Sequence, residues 1–122
     1  MAEQIPPELQ NKIMHLQQLQ NQLNMIRLQK QSAELELREV ERVLKEIQDV
    51  PANEILYKSL GHILVKTTKE KIEKELNEKK EILELRLKAL ERQEKHIEAQ
   101  YDDLRRKVTE ELTKIYRAKP AA

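Results

Sequence analysis

The stretch that decides the fold runs from Asn53 to Thr68 and reads NEILYKSLGHILVKTT. Before Gly61, Ile55, Tyr57 and Ser59 alternate with Leu56, Lys58 and Leu60, and mostly apolar or β-branched residues follow the glycine. This pattern predicts a β-hairpin whose turn lies near Ser59 to His62, with positive φ at the glycine. Because an isolated two-stranded hairpin is only marginally stable in water, we expect further strands to come from other chains. The residues predicted to carry this assembly are Ile55, Tyr57, Leu60, Gly61, Ile63 and Val65.

Two long helices are predicted on either side of the hairpin segment, residues 53–67. The first covers residues 7–49 and the second residues 68–118. In the first, apolar residues recur at alternating steps of four and three from Leu19 to Ile47, and Lys30 fills the one polar position. The step of three from Leu16 to Leu19 breaks this phase and predicts a local stammer. In the second, Leu or Ile recurs every seven residues from Leu76 onward. Both patterns are heptad seams, which are typical of coiled coils.

Local signals mark the ends of the helices. Pro51 disfavours helical geometry in the residue before it and is expected to end the first helix. Thr67, followed three residues later by Glu70, predicts a capping box at the start of the second helix. That helix is expected to end at Ala118, shortly before Pro120.

The composition favours long helices over a globular core. Charged residues make up 37% of the chain, there is no Phe or Trp, and the three Tyr residues are the only aromatics. Large aromatic side chains supply much of the buried area of a compact core, whereas this chain is rich in strong helix formers. We therefore predict a mainly α fold in one domain, residues 1–122. It consists of a long antiparallel two-helix coiled coil, paired within one chain, with the β-hairpin at the connection.

Charge, cysteine content and hydropathy exclude several functional classes. The 23 basic and 22 acidic residues are interspersed, which disfavours nucleic-acid binding. No apolar run is long enough to span a bilayer, and residues 1–7 do not resemble a signal peptide, so a cytoplasmic protein is predicted. There is no cysteine, and the three histidines lie in different segments. No metal site, cofactor, catalytic residue or enzymatic activity is therefore predicted.

Apolar residues also gather near the two ends of the chain. Antiparallel pairing would place the segment from Leu9 to Leu19 beside the segment from Val108 to Tyr116. One interpretation is ordinary core with a frayed end; the other is a partly open apolar tip that binds non-native protein. The stammer and Glu111 are expected to loosen the packing there. The candidate client-binding residues are Leu9, Ile13, Met14, Leu16, Leu19, Val108, Leu112, Ile115 and Tyr116.

The arrangement of one hairpin between two uninterrupted heptad helices resembles the beta-class prefoldin subunits. The residues that carry the resemblance are Tyr57-Lys58, Leu60-Gly61 and Leu64-Val65-Lys66. A single hairpin points to the beta class, since alpha-class subunits carry two, and the compact length resembles an archaeal subunit. The resemblance implies a hexamer of two alpha and four beta subunits, with hairpins joined into β-barrels. It also implies that the coiled-coil tips hold unfolded client proteins without ATP and pass them to a group II chaperonin.

Two other functions stay open at this point. The first is a structural coiled-coil scaffold or tether that binds no client. The second is a dimeric nucleic-acid binder, which the missing basic region disfavours. Suppression of aggregation of several unrelated denatured proteins separates a chaperone from a tether.

Overall fold

The computed structural model describes residues 5–117 and consists of two long helices with a short hairpin between them in the chain. The elements are α1 (Pro7–Ile47), β1 (Leu56–Leu60), β2 (Ile63–Thr67) and α2 (Lys69–Arg117). The predicted mainly α fold, with an antiparallel hairpin between two long helices, is confirmed. The predicted end of the second helix, Ala118, lies outside the described residues.

The packing divides the chain into two compact units, and each helix contributes to both. Residues Met1–Gln29 and Leu90–Ala122 form one, here called the terminal unit, and Lys30–Ala89 form the other, here called the hairpin unit.

Within the terminal unit, α1 and α2 pack antiparallel inside one chain. Lys12 pairs with Glu111, and Arg27 Nε lies 3.2 Å from a carboxylate oxygen of Glu94. Residue numbers therefore rise along one helix as they fall along the other. The buried side chains of this unit are Leu9, Leu19, Leu23, Leu90 and Val108. Of these, Leu19, Leu23 and Leu90 lie on the heptad seams predicted from the sequence.

The hairpin unit repeats this pairing. Lys79 Nζ lies 3.0 Å from a carboxylate oxygen of Glu36, again joining α2 to α1 in antiparallel order. The buried residues of this unit are Ala33, Val40, Ile47 and Leu83. All four lie at predicted seam positions, so the heptad pattern identified the core correctly.

The last turn of α1 tightens before the chain turns away. α1 ends at Ile47, two residues before the predicted end of the first helix. Beyond it, Gln48 N donates to Lys45 O at 3.4 Å and Val50 N donates to Ile47 O at 3.1 Å. These bonds span three residues rather than four, as in a 3₁₀ turn, which is a common way to end a helix.

The cap of α2 lies one residue later than the predicted capping box. Thr67 is the last residue of β2, so it is not available as a helix cap. Thr68 takes that role: its carbonyl accepts from Ile72 N at 3.0 Å, and its Oγ1 accepts from Lys71 N at 3.3 Å. A threonine oxygen that accepts from the third residue of the helix is a normal N-cap. The prediction was one residue early because two threonines stand side by side.

A two-residue loop closes the hairpin. Leu60 pairs with Ile63, which leaves Gly61 and His62 as the loop. Gly61 has a φ of 60°, whereas His62 does not have positive φ. Positive φ at the first loop position alone is typical of the type II′ turn, which matches the twist of the two strands. The predicted turn and the role of its glycine are confirmed.

Candidate functional site

The register of the hairpin assigns every strand residue to one of two faces. Side chains alternate along a strand, and paired residues lie on the same face. One face, here called the helix-side face, carries Leu56, Lys58, Leu60, Ile63, Val65 and Thr67. The other, here called the outer face, carries Tyr57, Ser59, Leu64 and Lys66. Lys58 Nζ lies 2.8 Å from a carboxylate oxygen of Glu75 on α2, which fixes which face is directed toward the helix.

Apolar side chains are exposed on both faces of the hairpin. On the helix-side face Ile63 is 65% exposed, and Leu60 and Val65 are also exposed. On the outer face Leu64 is 70% exposed, and Tyr57 is exposed as well. Large apolar side chains exposed on both faces of a small sheet are typical of a surface that binds another molecule.

The predicted assembly residues therefore do not form one patch. Leu60, Ile63 and Val65 share the helix-side face, whereas Tyr57 lies on the outer face and the exposed Ile55 precedes β1.

Two apolar hairpin residues were missed by the sequence reasoning. Leu64 is the most exposed large apolar residue of the hairpin, and Leu56 is half-buried at its base. The signal was present in the unbroken run Ile63-Leu64-Val65. Such a run is typical of a strand whose two faces are both covered.

The edges of the hairpin also carry unpaired backbone groups. With a two-residue loop, Leu60 and Ile63 form a hydrogen-bonded pair, and the next pair, Ser59 and Leu64, does not bond to each other. The N–H and C=O groups of Ser59 and Leu64 therefore point away from the hairpin. Within residues 5–117 the sheet has only these two strands, so both edges are open to a strand from another chain.

The structure brings the predicted client-binding residues together in the terminal unit but buries several of them. Leu9, Leu19 and Val108 are buried in the seam. Of the remaining six, four are half-buried: Ile13, Leu16, Leu112 and Ile115. Met14 is 62% exposed and Tyr116 is 67% exposed. Only these two of the nine residues present much apolar surface in this conformation.

The expected loosening around the stammer is not seen. α1 is continuous through this region, Leu16 is half-buried and Leu19 is buried. Glu111, the other expected weak point, pairs with Lys12 across the two helices. The three-residue step therefore leaves Leu19 buried and Leu16 partly covered.

The perturbed ionisable groups belong to exposed ion pairs on single helices. A hydrogen bond from Arg42 lowers the pKa of Glu39, and a hydrogen bond from Lys107 lowers the pKa of Asp103. Ion pairs three or four residues apart are ordinary helix-surface interactions. The three histidines are exposed. Among residues 5–117 no group of three or more His, Cys, Asp or Glu is arranged to hold a metal ion.

Neither helix qualifies as a membrane span over the part of the chain that the structure describes, since neither is apolar enough along a sufficient length.

Comparison of the sequence with known proteins identifies relatives along almost the whole chain. The family described as Prefoldin subunit matches residues 10–115. The prefoldin subunit beta of Sulfurisphaera tokodaii is 48% identical over 116 residues, covering 95% of this chain and 93% of that protein. The prefoldin subunit beta of Sulfolobus acidocaldarius is 43% identical over 116 residues, with the same coverage of both chains.

Solved structures agree with the sequence relatives. The prefoldin beta subunit from Thermococcus strain KS-1 superposes with a TM-score of 0.80 at 41% identity, covering 89% of this chain and 96% of that one. The beta2 subunit from the same strain has a TM-score of 0.67 at 23% identity, covering 75% of this chain and 97% of that one, and supports the fold alone. The chain therefore belongs to the prefoldin subunit family, and within it resembles the beta subunits of archaea.

Proposed function

We propose that this chain is a non-catalytic, ATP-independent holdase subunit. In this proposal it assembles through its hairpin with prefoldin alpha subunits into a cytoplasmic hexamer of two alpha and four beta subunits. The hexamer binds unfolded client proteins through the terminal units and passes them to a group II chaperonin. The observation that carries the proposal is the hairpin, whose apolar faces and open edges lack a partner within residues 5–117.

The hairpin supports assembly in two ways. Its open edges offer backbone hydrogen bonds to neighbouring strands, and closing several hairpins into a β-barrel removes all the edges. Its exposed apolar side chains gain free energy when neighbours cover them, roughly 1.5–3 kcal/mol for each fully buried Leu, Ile or Val. One hairpin alone lacks a core, so these gains are available only in an assembly.

The terminal unit supports client binding through the side chains that it leaves in water. Met14 and Tyr116 are exposed, and the half-buried Ile115 lies beside Tyr116 in sequence. Methionine is flexible and adapts to partners of different shape, which suits an unfolded client. The buried Leu9, Leu19 and Val108 contribute only when the two helices separate.

A single terminal unit of this kind binds weakly, because two exposed side chains bury little area. Several units on one assembly bind the same unfolded chain at high effective concentration. Assembly by the hairpin and capture by the terminal unit are therefore two parts of one function.

The test is client capture by an assembled hexamer that carries Met14→Ser and Tyr116→Ser. A matched control carries Met25→Ser and Leu28→Ser, at positions of the same unit that are 61% and 66% exposed. We expect the first variant to suppress aggregation of unrelated denatured proteins at least several-fold less well than the control. Equal suppression by the two variants would move the binding site away from Met14 and Tyr116. No suppression by the unmodified hexamer would favour the scaffold or tether instead.

A further inference from the structure

An apolar groove lies at the base of the hairpin, within the hairpin unit. It has a volume of about 230 Å³ and lies between the end of α1, the start of α2 and β1. Its apolar lining includes Val43, Val50, Leu56 and Ile72, all half-buried, together with the buried Ile47 and the exposed Tyr57. Glu46 also lines it. Side chains that are only half covered around a concave surface gain from an apolar group that fills it.

The same chain carries an apolar side chain of suitable size on the outer face of its hairpin. Leu64 is 70% exposed, and Lys66 lies two residues farther along the same face. Lys66 forms no ion pair with any residue between 5 and 117, whereas Glu46 accepts a hydrogen bond from Arg42 at 2.7 Å. A carboxylate has acceptor capacity for a second cation.

The groove and Leu64 do not meet within one chain. Leu64 stands opposite Ser59, which is three residues along β1 from Leu56, or about 10 Å at 3.3 Å per residue. The exposure of Leu64 confirms that it does not fill the groove of its own chain. The groove and Leu64 can therefore meet only between two copies of the chain. Such a contact joins the groove of one copy to the outer face of the hairpin of the other.

We propose that Leu64 of a second copy of this chain fills the groove at the base of the hairpin, with its Lys66 beside Glu46. The proposal rests on the hairpin-driven assembly proposed above and specifies one contact of that assembly. It also accounts for the exposed Leu64 of the outer face, which the helices of a neighbouring copy would cover.

Site-directed cross-linking tests the contact, because the chain contains no cysteine. A Val50→Cys chain and a Leu64→Cys chain are unfolded together, refolded, assembled with an alpha subunit and treated with a short bismaleimide. We expect a product of twice the chain mass only when both variants are present. The control pairs Leu64→Cys with Leu28→Cys, an exposed position outside the groove, and should give no such product.

Charge exchange gives a second readout. Lys66→Glu should raise the concentration at which the assembly half dissociates by about tenfold, and adding Glu46→Lys should reverse most of that change. An assembly of native mass with no Val50–Leu64 product would overturn this inference and leave hairpin-driven assembly standing. Failure of the unmodified chain to assemble at all would overturn the proposed function as well.

Discussion

The ammonium group of Lys69, at the start of α2, lies 2.8 Å from the carbonyl oxygen of Val50, just beyond the end of α1. The same group lies 3.2 Å from the carbonyl oxygen of Gln48. Carbonyl groups at the end of a helix lack intrahelical partners, and a charged donor satisfies them well. One side chain thus ties the end of one helix to the beginning of the other.

Replacing Lys69 with Met should therefore lower the free energy of unfolding by about 1–2 kcal/mol, since the bonds to both carbonyls are lost. Urea unfolding followed by circular dichroism measures this change. Lys71→Met is the control, because only the backbone N–H of Lys71 takes part in the helix cap. An equal decrease in the free energy of unfolding in both variants would show that the removal of a positive charge, and not the loss of the bonds to the carbonyls, is the cause.

Charges placed on the hairpin should abolish assembly without unfolding the helices. In the double variant Ile63→Asp and Val65→Asp, two carboxylates replace exposed apolar groups on the helix-side face. Native mass spectrometry should show loss of the hexamer, while circular dichroism shows unchanged helix content. The control is Met25→Asp with Leu28→Asp, which adds the same charge at exposed positions on α1. A hairpin variant that still assembles to native mass would contradict the assignment.

A side chain at Gly61 should strain the turn. A Cβ built there meets no atom within 4 Å, so the cost of Gly61→Ala comes from the positive φ alone. We expect about 1–2 kcal/mol of destabilisation of the hairpin. In the proposed assembly, which the hairpin carries, this should appear as a lower dissociation temperature of the hexamer. His62→Ala, at the loop position without positive φ, should have little effect, and a similar drop there would point to lost contacts of the turn instead.

A cross-link between α1 and α2 in the terminal unit should show whether clients bind its exposed or its buried residues. Lys12 and Glu111 pair across the two helices, so Lys12→Cys with Glu111→Cys, joined by a bismaleimide whose spacer contains a disulfide, should cross-link within one chain and keep the monomer mass under denaturing conditions. We expect the cross-linked hexamer still to capture clients, because Met14 and Tyr116 remain exposed. Loss of capture that returns when a reductant cleaves the spacer would show instead that clients bind the buried Leu9 and Leu19.

Acid should weaken the ion pairs on the helix surface. The hydrogen bond from Lys107 holds the pKa of Asp103 below its usual range, so the folded state favours the charged carboxylate. This contribution is present above the usual aspartate pKa and disappears as the pH falls through the lowered one. The melting temperature of the unmodified chain should exceed that of Asp103→Asn at pH 7 and equal it near pH 2. Asp102→Asn, an exposed neighbour with the same charge change, should show a smaller difference at pH 7.

The helices and their seams were predictable because a heptad repeat is a local property of the sequence. The pattern placed Leu23, Val40 and Leu83 in the core, and all three are buried. Lys30 fills the polar position of the first seam, and Glu73, Lys80 and Glu94 interrupt the second; all four are half-buried. The turn followed equally directly from the one glycine.

The remaining features depend on contacts that a sequence pattern does not contain. The cap at Thr68 rather than Thr67 depends on where the last strand pair forms. The burial of Leu19, directly after the three-residue step, depends on how the surrounding side chains pack. Leu28, Leu35 and Ile82 are exposed outside the seam although their hydrophobicity suggests burial. The hydrophobic periodicity of one chain does not show whether a partner covers such a residue.

The two-residue loop also constrains how this hairpin evolves. Because side chains alternate, a single residue inserted into β1 or β2 would move the part of that strand beyond the insertion to the opposite face and break the contacts of both faces at once. Insertions and deletions in the strands are therefore expected to be absent among functional relatives or to occur in compensating pairs. In the helices, by contrast, the three-residue step from Leu16 to Leu19 is accommodated with α1 unbroken and Leu19 buried. An alignment of relatives should therefore show a constant length at the hairpin and more variation in length along the helices.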